Sequence, residues 1–73
     1  MRTASGRIIM VQEQRFRLLL DDGRALLLTL AHDAPLDADA LGRLHAADRQ
    51  VRVEYEGQAN TTSGVAHAVL PSA

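Results

Sequence analysis

The stretch RFRLLLDDGRALLLTL, Arg15 to Leu30, sets two leucine-rich arms on either side of Asp21-Asp22-Gly23. A strand with one wet face alternates apolar and polar side chains, and neither arm does so. Asp-Gly is a hairpin signal, because glycine readily takes the positive φ that a tight turn needs. The loop length then decides which leucines face inward. A two-residue loop, Asp22-Gly23, puts Phe16, Leu18 and Leu20 on one face with Ala25, Leu27 and Thr29. A three-residue loop, Asp21-Asp22-Gly23, pairs Leu20 with Arg24, Leu18 with Leu26 and Phe16 with Leu28. One face is then entirely apolar: Phe16, Leu18, Leu20, Leu26, Leu28 and Leu30. The other is mixed: Arg15, Arg17, Leu19, Ala25, Leu27 and Thr29. A one-residue slip turns every side chain over, so the clean partition is preferred. It predicts a type I turn with a G1 bulge at Gly23.

The flanking segments read in the same way. Gly6 to Val11, rich in β-branched residues, is a first strand, and Gln12-Glu13-Gln14 is a polar break before the second, Arg15 to Leu20. Arg24 to Leu30 returns. His32-Asp33-Ala34-Pro35 ends that strand, and residues 36–47, LDADALGRLHAA, are helical, with Asp37 as N-cap and an apolar stripe of Ala40, Leu41 and Leu44. Gln50 to Glu56 alternates cleanly: Val51, Val53 and Tyr55 inward, Arg52, Glu54 and Glu56 outward. GQANTTSG, Gly57 to Gly64, is a polar loop, and Val65 to Leu70 a last strand closed by Pro71. There is no internal repeat and no low-complexity segment.

A chain of 73 residues has room for one core and hence one domain. Phe16 and Tyr55 are its only aromatics, so aliphatic side chains supply nearly all burial. The absence of cysteine excludes disulfides and thiolate metal sites. No apolar run approaches a membrane span and MRTASGR lacks a signal-peptide core, so the expected location is the cytoplasm and no membrane partner is expected. All eight basic residues are arginine, a composition suggesting a GC-rich bacterial genome. The net charge of −1 argues against a strong sequence-independent nucleic-acid binder. The sum hides an asymmetry, because residues 1–32 carry five arginines against three acids and residues 33–73 three against six. A modest basic face is therefore expected in the N-terminal half.

Strand, strand, strand, helix, strand, strand (β-β-β-α-β-β) is an all-β order with one helix, which we expect to close as a five-stranded antiparallel barrel. In this order, carried by Gly6 to Val11, the Gly23 hairpin, the Pro35–Ala47 insert, Val51–Tyr55 and Val65–Leu70, the chain resembles the OB-fold superfamily over nearly its whole length, and looks like a small bacterial member of it. An SH3-like small barrel is the alternative, though it normally lacks a helix of this length. The OB resemblance implies a ligand face on strands two and three, framed by the loops at Gln12–Gln14 and Gln58–Ser63, and single-stranded RNA or DNA as the ligand. The outer residues there are Arg15, Arg17, Leu19, Leu27 and Thr29, with Arg17 opposite Leu27 and Arg15 opposite Thr29. Arginine contacts phosphates and stacks on bases. The chain departs from nucleic-acid-binding members in one respect: their platforms stack bases on aromatic rings, for ~1–3 kcal/mol per base. Here Phe16 falls on the inner face and Tyr55 lies with core valines. An apolar, arginine-edged face equally suits a protein partner or a second copy of the chain. Arginine stems that merely cover the barrel wall are the plain structural alternative.

No other motif carries chemistry. His32, His45 and His67 fit no ligand spacing and are spread over different predicted elements, so no metal is expected. Asp21-Asp22 suits a hairpin tip better than a cation site, and Asp37 with Asp39 suits a helix start better than a catalytic pair. Asn60-Thr61-Thr62 matches a glycosylation acceptor, which means little without a secretion signal. Ser5-Gly6 and Ser63-Gly64 have no neighbouring base, and there is no G-x-S-x-G pattern and no glycine-rich phosphate loop. The expectation is a binding module, not an enzyme, with no cofactor.

Overall fold

The computed structural model describes residues 1–57 and 62–72, which form β1 (Arg2–Gln12), β2 (Arg15–Leu20), β3 (Ala25–Leu30), α1 (Ala38–Ala46), β4 (Gln50–Glu56) and β5 (Ser63–Pro71). The strands close in the order β1-β2-β3-β5-β4, and the architecture is mostly β with one helix, a five-stranded barrel of the OB-like or SH3-like kind.

The hairpin takes the three-residue loop. Phe16 lies opposite Leu28, Leu18 opposite Leu26 and Arg17 opposite Leu27. The Gly23 N–H donates to the Leu20 carbonyl at 3.0 Å, the Leu20 N–H donates to the Arg24 carbonyl at 2.7 Å, and Gly23 sits at φ 93°. Phe16, Leu18 and Leu28 are fully buried, Leu26 and Leu30 nearly so, and Leu20 packs against them from the rim. Each such side chain contributes roughly 1.5–3 kcal/mol of transfer free energy, so the apolar face of this hairpin anchors the barrel. Val51 and Val53 of β4 meet it from across the interior, and Tyr55 packs half-buried at the rim.

Two expectations need correction. The sheet is not antiparallel throughout, since β3 and β5 run parallel, with Leu27 beside Ser63 and Leu30 beside Ala66. The reason is topological. Antiparallel neighbours alternate in direction around a ring, and alternation returns to its start only for an even number of strands. Five strands must leave one parallel contact. The first strand also begins at Arg2 rather than Gly6. Arg2 to Ser5 lack a strand-like pattern of their own and are held by β4, which pairs Ala4 with Val53 and Arg2 with Tyr55.

Gly6 marks where β1 changes partners, lying opposite both Val51 of β4 and Leu20 of β2. A Cβ there would run into the Leu19 carbonyl oxygen, so the bend depends on glycine. A β-bulge follows between Ile8 and Met10. The same arrangement recurs on β5: Gly64, where a Cβ would run into the Glu56 carbonyl oxygen, precedes a register shift that skips His67. Bulges bend and twist a strand, which a short sheet needs in order to close on itself.

The helix packs beside β1 through one fully buried side chain, Leu41, flanked by Leu36 and Leu44. Its start is fixed by Asp37, whose carboxylate accepts the Ala40 N–H at 2.9 Å. It ends at Asp48, which takes the left-handed conformation at φ 51°.

Candidate functional site

The outer surface of β1, β2 and β3 reads as three cross-strand rows. Arg7, Leu19 and Ala25 form the first, Met10, Arg17 and Leu27 the second, and Gln12, Arg15 and Thr29 the third. Arg15, Arg17, Leu19 and Thr29 are exposed, and Leu27 and Met10 are half-buried. The five residues expected on this face are thus gathered on one wall. The β1–β2 turn, Glu13-Gln14, lies at one margin. At the β5 margin the Thr62 carbonyl accepts the Leu27 N–H at 2.7 Å. Most of the other expected framing loop, residues 58–61, lies outside the described residues, as does most of Asn60-Thr61-Thr62.

Two neighbours were not anticipated. A strictly alternating β1 would turn Ile8 and Met10 to one side and Ile9 and Val11 to the other. The bulge instead leaves Ile8 buried and Val11 packed on the core, and turns the consecutive pair Ile9 and Met10 outward, beside Arg17. Ile9 is 45% exposed and Leu19 40%, among the most exposed large apolar side chains described. The run Ile8-Ile9-Met10-Val11 carried a hint, because four apolar residues cannot all enter a barrel by alternation.

The electrostatics of this wall are one-sided. Its outward positions hold Arg7, Arg15 and Arg17 and no carboxylate. Arg7 approaches Asp48 at 3.9 Å, a long and exposed contact. The side chains of Arg15 and Arg17 make no hydrogen bond or ion pair with any described residue, Glu13 in the adjacent turn included. By contrast, Arg24 at the hairpin tip is committed to Asp22, with Nε 2.8 Å from the carboxylate. Asp22 is held below the ordinary carboxylate value by the Arg24 backbone N–H first and its guanidinium second. Asp21 accepts both its contacts from the Gln50 amide, at 3.0 and 3.2 Å, tying the tip to β4.

The other motifs come apart in space. His32 lies in the turn after β3, His45 on the helix, and His67 on β5, where its Nε2 is 3.0 Å from Glu56 Oε1. Among the described residues no three His, Cys, Asp or Glu side chains gather into a metal-ligating group. One surface depression is lined by Met1, Arg2, Glu56, Gly57 and Val65, the last lying beside Thr29 at the β5 edge of the arginine wall, and another by Arg52, Leu70, Pro71 and Ser72. No described helix is long and apolar enough to cross a membrane. Comparison with protein-family models, with curated proteins and with solved structures found no match.

Proposed function

We propose that the chain is a non-catalytic binding module of OB-like kind that holds single-stranded RNA or DNA weakly on the outer wall of β2 and β3. The observation that carries this reading is the pair Arg15 and Arg17, exposed beside Leu19, Leu27 and Thr29 with no counter-ion among the described residues. A fold with no use for a cation can leave it to solvent. Two on one strand, at i and i+2, point the same way and present a ready contact for successive phosphates or bases. The barrel order β1-β2-β3-β5-β4, with its helix between β3 and β4, supports the OB-like reading over an SH3-like one.

The same face suits a protein partner through its exposed leucine and isoleucine side chains. Self-association about a two-fold axis is the weaker form of that second reading. It would press Arg15 and Arg17 of one copy against those of the next, with no counter-ion for either among the described residues.

Salt separates the readings. A labelled oligonucleotide should bind in low salt and weaken steeply as salt rises. The double variant Arg15→Ala/Arg17→Ala should lose about tenfold or more in affinity, as expected for charge-assisted contacts. It should also flatten the dependence of log K on log salt by about 1.4, at about 0.7 per phosphate on a single strand. Unchanged oligonucleotide affinity in that variant overturns the assignment. A wild-type chain that ignores oligonucleotides yet associates with itself or a protein in high salt favours the second reading.

A further inference from the structure

We propose that the bulged pair of β1, Ile9 and Met10, is the surface on which the bases of a bound single strand rest, with Arg17 between that pair and Leu27. This rests on the reading above and adds to it the strand that supplies the base contact.

Phosphates need cations, but bases need a flat or polarisable apolar surface, and this chain has no aromatic residue on its arginine wall. Phe16 is fully buried, and the Tyr55 ring packs half-buried over Gly57 and Gly64 at the opposite margin. The bulge supplies a substitute. It sets two adjacent apolar side chains outward where a regular strand would set one, and the register puts Met10 directly across from Arg17, with Leu27 on the far side of that arginine. Strands lie about 4.8 Å apart, so the row Met10–Arg17–Leu27 spans about 10 Å, the scale of a nucleobase with its sugar. Methionine suits the role because its thioether is polarisable and makes favourable contacts with aromatic rings. The charge of the wall selects the occupant: an apolar stripe bordered by Arg15 and Arg17, neither with a carboxylate partner among the described residues, fits an anionic ligand bearing flat apolar rings.

The expected signature divides the two roles. In anisotropy titrations with a fluorescein-labelled oligodeoxythymidylate, Ile9→Ser/Met10→Ala should weaken binding about five- to tenfold. Its salt slope should match wild type, because no phosphate contact is removed. Leu70→Ala, which removes an apolar side chain 45% exposed on β5, should bind as wild type does. A second measurement needs no substitution. With ¹³C-methyl methionine, the Met10 methyl signal should shift as oligonucleotide is added while Met1, in a different depression, stays in place.

Wild-type affinity in the Ile9/Met10 variant, or an unmoved Met10 methyl at saturation, overturns this inference while the arginine reading stands. A flattened salt slope in that variant also overturns it, because the pair would then act by holding the arginines. A wild-type chain that binds no oligonucleotide removes both.

Discussion

The barrel bends twice by the same device, and the two bends present different chemistry to solvent. On β1, Gly6 leads through buried Ile8 to a bulge and then to core-packed Val11. On β5, Gly64 leads through buried Ala66 to a bulge and then to buried Val69. In each strand the inward residues flanking the bulge are three apart rather than two, so an adjacent pair is released from the core. On β5 that pair is His67 and Ala68, and His67 is taken up by Glu56. On β1 it is Ile9 and Met10, beside an arginine without a partner among the described residues. Closing the barrel explains both bulges, but it dictates neither outward pair. The β5 pair is compensated within the chain and the β1 pair is not, and that imbalance singles out one wall.

The largest expected effect tests which of two adjacent isoleucines β1 turns inward. Ile8 and Ile9 are the same residue at adjacent positions, 3% and 45% exposed. Ile8→Ala should cost about 2–5 kcal/mol by lost burial and cavity formation. Ile9→Ala should stay within about 0.5 kcal/mol of wild type, as surface substitutions do. Urea denaturation measures both. Equal costs would place Ile9 in the core and break up the outward pair, along with the base contact argued from it.

The glycines come next. Gly6→Ala and Gly64→Ala each drive a Cβ into a backbone carbonyl of the neighbouring strand, and backbone cannot rotate aside. Each should cost about 1–3 kcal/mol, as overpacked sites do. Gly23 at the hairpin tip is the contrast. Nothing lies within 4 Å of its added Cβ, so Gly23→Ala should lose only about 1 kcal/mol, through the positive φ. Gly23→Asn should recover part of that loss, because asparagine tolerates left-handed backbone, whereas Gly64→Asn should recover none. If asparagine rescues both positions, conformation rather than collision is what each glycine provides, and the parallel between the two bends fails.

How much of this the sequence disclosed follows from how local each determinant is. The hairpin register needed only Asp21-Asp22-Gly23 and the side-chain parity of its arms, so the buried and exposed leucines were assigned from residues within one turn of each other. Asp37 as N-cap and the Val51–Val53 alternation are equally local. The parallel contact of β3 with β5 is a property of five strands closing, and no residue encodes it. Arg2 to Ser5 are a strand because β4 lies beside them. Met10 of β1 reaches the candidate face only because a bulge breaks the alternation that would turn it inward with Ile8, whereas Arg15, Arg17, Leu19, Leu27 and Thr29 follow alternation throughout. The position of the bulge depends on the register of the pairing with β2, which shifts between Ile8 and Met10.

The smallest effect concerns the hairpin tip, where an arginine is used by the fold, unlike Arg15 and Arg17 on the strand leading to it. Asp22 accepts the Arg24 backbone N–H at 3.0 Å and the guanidinium at 2.8 Å, and its carboxyl is held below the ordinary value of 3.8. The unfolded chain therefore binds the proton at higher pH than the folded one. The stabilisation from this contact is complete above the ordinary carboxylate range and is lost as pH falls through the lowered folded value. The group is exposed, so a carboxyl-resolved NMR titration is the sensitive measure. Because the backbone N–H is the larger cause, Arg24→Ala should move the Asp22 midpoint only part of the way back toward 3.8. A complete return would make the guanidinium the main partner. Arg24 would then be a tip residue held chiefly by its charge, and the distinction between a committed arginine and the two free ones would rest on that single ion pair.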